Sequence, residues 1–128
     1  MKTLLILLPA LTLSISAFAE TRTTAFSELQ KTAALEQDAF QNNECSVKFK
    51  ALSGGYSILL EDDTQSAELL VRANDEIQYG EEVEKDGSFV RTFEVKGAGY
   101  LRVLHADDSY ESIELTNGGR TMKCELEF

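Results

Sequence analysis

Four ionisable residues, Glu81, Arg91, His105 and Glu111, interrupt otherwise apolar faces in this 128-residue chain. Two carboxylates, a guanidinium and an imidazole held together could bind a cationic ligand, neutralise one another or carry a proton. Whether they meet depends on strand register. Hairpins centred on Asp86, Ala98 and Asp108 pair Glu81 with Arg91, Arg91 with His105, and His105 with Glu111. The same registers align Tyr79, Phe93, Val103 and Ile113 in one row, and Ile77, Val95, Leu101 and Leu115 in the next. The end nearest the polar row then carries an acidic rim of Asp62, Asp63, Asp86, Asp107 and Asp108. Such a rim favours a small cationic ligand or a basic protein surface. The competing reading is a ladder of compensated charges that needs no ligand.

No other constellation points to chemistry. Ser53-Gly54-Gly55-Tyr56-Ser57 departs from Gly-x-Ser-x-Gly and suits a hairpin turn, and Gly97-Ala98-Gly99 lacks the helix a dinucleotide site requires. No acidic doublet follows the Asp-x-Asp-x-Asp-Gly calcium loop, and one histidine with no Cys-x-x-Cys gives no metal spacing. The expectation is a non-enzymatic chain with no catalytic residue, metal or cofactor. With 12 Lys+Arg against 22 Asp+Glu, nucleic acid is an unsuitable partner.

The elements that must position the polar row begin after an export signal. Met1-Lys2 is basic, Thr3 to Ile15 is nearly all apolar, and Ala17-Phe18-Ala19 offers a small-x-small cleavage site after Ala19. The apolar run is shorter than the ~20 residues a spanning helix requires. Removing 1–19 deletes Lys2, moves the net charge from −10 to −11, and predicts a secreted or periplasmic protein. In that oxidising setting Cys45 and Cys124 are expected to form one disulfide.

Residues 20–43 form an N-terminal helix or arm. Ser27-Glu28-Leu29-Gln30 resembles a capping box, strong helix formers cover 23–41, and Asn42-Asn43 ends the run. Phe26, Leu29, Ala33 and Phe40 make a narrow apolar stripe, which predicts a helix lying against the domain or a partly ordered arm. Residues 44–128 switch to period two. Eight strands are expected near 44–52, 56–62, 66–73, 76–84, 88–96, 99–106, 110–116 and 120–127.

Alternation places Val47, Phe49, Ala51, Ile58, Leu60, Leu69, Val71, Ile77, Tyr79, Val83, Phe89, Phe93, Val95, Leu101, Val103, Ile113, Leu115, Met122, Leu126 and Phe128 inward, with Cys45 and Cys124 on the same face. The predicted fold is an all-β antiparallel eight-stranded meander barrel, or a two-sheet sandwich with the same alternation. Charged outward positions such as Lys48, Glu68, Arg72 and Glu94 argue against a membrane barrel.

In size, export and strand count the chain is similar to small secreted β-barrels that inhibit lysozymes and secreted proteases. Ser53-Gly54-Gly55-Tyr56 resembles the Ser-Gly-x-x-Tyr loop of one lysozyme-inhibitor family, with the tyrosine one position early. The resemblance implies an inhibitor whose loops plug a secreted hydrolase, beside the binding-protein reading from the acidic rim. An envelope protein with a structural or protective role is the third possibility.

Overall fold

The period-two pattern does become eight antiparallel strands. A computed structural model describes residues 25–107 and 110–127; the expected signal segment 1–19, Asp108 and Phe128 lie outside them. The strands are β1 (Ser46–Leu52), β2 (Gly55–Glu61), β3 (Ser66–Arg72), β4 (Ile77–Val83), β5 (Phe89–Val95), β6 (Gly99–Asp107), β7 (Tyr110–Thr116) and β8 (Thr121–Glu127). They form two sheets, ordered β1-β2-β3 and β4-β5-β6-β7-β8. Of the two predicted closures the two-sheet arrangement is observed, because the chain leaves one sheet at Ala73 and starts the other at Ile77. The Cys45–Cys124 disulfide joins the start of β1 to β8 across the sheets.

β3 packs against β6, β7 and β8. Two side chains of the β7–β8 turn tie the sheets there: Asn117 Nδ2 donates to Glu68 O at 3.2 Å and Arg120 Nη1 to Ser66 O at 3.0 Å.

Among the described residues one helix, α1 over residues 25–39, touches both sheets, β1 and β2 through Phe26 and Gln37 and β6 through Glu36. It begins ahead of Ser27, so that serine lies inside the helix instead of capping it. Asn42 ends the turn region in a left-handed conformation (φ 68°), which asparagine tolerates. Against β1 and β2, Tyr56 Oη donates to Phe26 O at 2.8 Å, the Phe26 and Tyr56 rings lie 4.9 Å apart, and Phe49 N donates to Gln37 Oε1.

Leu29, Ala33 and Phe40 are fully buried in the same cluster as Ile58, Leu60, Phe93, Leu101, Val103 and Ile113. Of the two expectations for this segment, a helix lying against the domain is what forms, and it supplies part of the core. No helix among the described residues is long and apolar enough to cross a membrane.

Three predicted inward residues are out of place. Ala51 is exposed near the end of β1, Tyr79 is partly exposed, and Val83 is 76% exposed. Tyr79 and Val83 lie on β4, an edge strand whose only buried residue is Ile77. Alternation assigns a face, but at a sheet edge nothing need cover it.

Candidate functional site

The polar residues do gather at one end of the five-stranded sheet, though in a different order from the predicted row. Glu81 pairs with Arg91 and His105 with Glu111, as expected. Between β5 and β6 the register is two residues away from the prediction: Arg91 pairs with Val103, and His105 with Phe89. The apolar rows shift with it, so Tyr79 and Phe93 continue to Leu101 and Leu115, and Val95 meets Gly99.

The cause is the turn. Gly97 adopts φ 81° and Ala98 N bonds Val95 O at 3.0 Å, so the hairpin closes at Gly97, which accepts this conformation without strain, and not about Ala98. A two-residue shift preserves the faces, so all four side chains stay on one face of the sheet, with Glu111 buried and Glu81 exposed at the β4 edge.

The acidic rim is corrected too. Asp62 shares a shallow cleft with Thr64, Gln65, Ser66 and Arg120, which puts the Asp62-Asp63 turn beside the β7–β8 turn, one strand length from Glu111. Asp86 and the backbone of Asp107 do lie at the polar end, where the ladder is bulged between His105 and Asp107. Asp86 and Asp62 are occupied within their own turns. Asp86 Oδ1 accepts from Ser88 N and Oγ, and Asp62 Oδ1 from Thr64 N, Thr64 Oγ1 and Gln65 N. These donors favour the charged form and hold both carboxyls below their ordinary range, the Ser88 hydroxyl leading for Asp86 and the Thr64 amide for Asp62.

At the polar end His105 Nδ1 lies 2.7 Å from Glu111 Oε1, and its ring stacks on Phe89 at 5.0 Å with 14° between planes. Arg91 approaches Glu81 at 3.8 Å and sits 5.2 Å over the Phe89 ring. Tyr79 Oη donates to Glu81 Oε2.

The residue that sequence reasoning missed is Glu36. It projects from α1 into this cluster, with Oε1 4.0 Å from His105 Nε2, and is only 3% exposed. Burial, a hydrogen bond with Glu111 and repulsion by the Glu111 charge push its carboxyl up to about 9, against the opposing pull of Arg91. Its Oε2, the Nε of Arg91 and the Oγ1 of Thr32 are buried without hydrogen-bond partners. The signal was present: Leu29, Ala33, Glu36 and Phe40 follow helical core spacing, and Glu36 is the lone charge in that stripe.

A shallow groove of about 170 Å³ lies on the sheet's opposite face, lined by Val90, Arg102, Leu104, Ser112, Glu114 and Lys123, and shares no residue with the cluster. The arrangement defines a single-disulfide antiparallel β domain with two sheets, bridged by a helix that contributes a buried carboxyl group to a His/Glu/Arg cluster. No family model, curated protein or solved structure matches the chain.

Proposed function

We propose that this is an exported, non-enzymatic binding protein that takes a basic partner surface, or a small cationic ligand, at the polar end of its five-stranded sheet. The observation that supports this reading is the condition of β4. It is an edge strand, so among the described residues one side of its backbone ladder is unpaired, and it presents Glu81, Glu82 and the 76%-exposed Val83, with exposed Glu84 following. Free backbone donors and acceptors, a local excess of carboxylates and an apolar anchor suit a basic segment added in extended form as a further strand. Charge on an edge strand also guards against self-association, and that is the reading the experiment must defeat. Export is supported by the disulfide, which persists in oxidising compartments.

The test is titration of the disulfide-intact protein with extended Lys/Arg-rich peptides and acidic controls. Binding to the basic peptides alone, weakening steeply between about 0.05 and 0.3 M salt, supports the proposal. A triple variant Glu81→Gln, Glu82→Gln, Glu84→Gln should lose most of that affinity. Equal binding by the triple variant, or none by the wild type at low salt, overturns it. In a parallel panel of lysozymes and secreted proteases, inhibition at micromolar protein would favour the hydrolase-inhibitor reading instead.

A further inference from the structure

We propose that Glu36, His105 and Glu111 bind a divalent cation of the borderline class, represented by zinc, which fastens α1 to β6 and β7. The three residues come from three different elements, and one ligand atom from each lies within 4.8 Å of the others. In the tetrahedral shell that zinc prefers, oxygen and nitrogen ligands about 2.0–2.2 Å from the ion stand roughly 3.3–3.6 Å from one another. The 4.0 Å between His105 Nε2 and Glu36 Oε1 must close by about half an ångström to reach that spacing, and the group as a whole, within 4.8 Å, by up to roughly 1.5 Å, through rotation of the glutamate side chains.

A second observation points to a ligand independently of this spacing. Glu36 Oε2 is buried with no donor, on a residue only 3% exposed. An oxygen withdrawn from water and left unbonded is costly, and an ion that displaced the proton from Glu36 would bond it.

The surroundings suit such an ion. Glu111 Oε1 lies 2.7 Å from His105 Nδ1 and Glu36 Oε1 lies 4.0 Å from Nε2, so both carboxyls border one imidazole, where an ion would replace the proton that His105 and Glu111 share. The His105 side chain is 35% exposed, giving an ion a way in from solvent and room for water ligands. One imidazole with two carboxylates selects zinc-like ions over calcium and magnesium, which prefer all-oxygen shells. Arg91 opposes a cation at Glu36, but its contacts with Glu81 and Phe89 hold it toward β4. The site does not depend on the basic-partner reading, and either can fail while the other stands.

The experiment is calorimetric titration of zinc into the disulfide-intact, chelator-treated protein, in which the cysteines offer no thiol. The expected result is one ion per chain at micromolar or better affinity, a melting temperature raised by several degrees, and no such response to magnesium or calcium. His105 is the only histidine, so its imidazole resonances should move with zinc. Glu36→Gln and His105→Gln should each weaken zinc at least about tenfold. Should Glu36→Gln fail to fold, His105→Gln at the part-exposed ring decides the matter. Absence of zinc binding overturns the site, as does binding that survives His105→Gln with the wild-type imidazole signal unmoved.

Discussion

Phe40→Ala is expected to destabilise the protein as severely as Phe93→Ala. Phe40 lies just beyond α1 and Phe93 in the middle of β5, yet both are 0% exposed and belong to one core cluster. Removing a buried phenylalanine ring costs about 3–5 kcal/mol, from lost transfer energy plus the cavity left behind. A domain of this size has only about 5–15 kcal/mol in total, and each kcal/mol shifts its melting temperature by roughly 4 °C or more, so a fall of about 12 °C or greater is expected for each variant. The assay is thermal and urea unfolding followed by far-ultraviolet circular dichroism, with the two variants side by side. A loss below about 1 kcal/mol for Phe40→Ala beside a full loss for Phe93→Ala would show that the helix is peripheral. The packing argument would then be wrong.

The disulfide closes a sequence separation of 79 and links the two sheets, so Cys45→Ser with Cys124→Ser should cost about 4 kcal/mol. Thiol titration of the native protein should find no free sulfur, and two reactive sulfurs would refute the bridge. Asp62→Ala should lower the melting temperature at neutral pH, because the Asp62 carboxylate holds the amides of Thr64 and Gln65. Its folded pKa is depressed below the ordinary 3.8, so this stabilisation is present above that value and lost as pH falls through the folded pKa. The gap between wild type and Asp62→Ala should therefore narrow in acid, and a gap that persists well below pH 3.8 would rule out the charge as its source.

Much of this architecture was legible because alternation and turn residues act locally. The eight strands fall within a few residues of the period-two segments, and the Glu81–Arg91 and His105–Glu111 pairs follow from their hairpins. The β5–β6 register was misplaced because the positive-φ requirement at Gly97 outweighs symmetry about Ala98. The Asp62 turn was assigned to the wrong end because alternation carries no information about how one sheet lies on another; that depends on contacts such as Arg120 with Ser66. Glu36 belongs to the same class. Its place in the stripe is visible in the sequence, but its partners on β6 and β7 come from a stretch of chain that only tertiary packing brings near.

Every strand in both sheets is hydrogen-bonded only to strands next to it in the sequence, and this bears on the order of folding events. Closing a short hairpin loop costs little entropy and takes microseconds, so each sheet can assemble from neighbouring hairpins without a long search. The helix precedes all the strands, and beside the nearby Gln37–Phe49 bond its contacts reach far along the chain: Phe26 meets Tyr56 across 30 positions and Glu36 approaches His105 on the other sheet, while the disulfide that follows the helix joins Cys45 to Cys124 across 79. The first segment of the fold is therefore expected to dock last, with the covalent link following the approach of the two sheets. Pulsed hydrogen-exchange labelling should find the hairpin amides protected before those of the helix, and the reverse order would contradict this sequence of events.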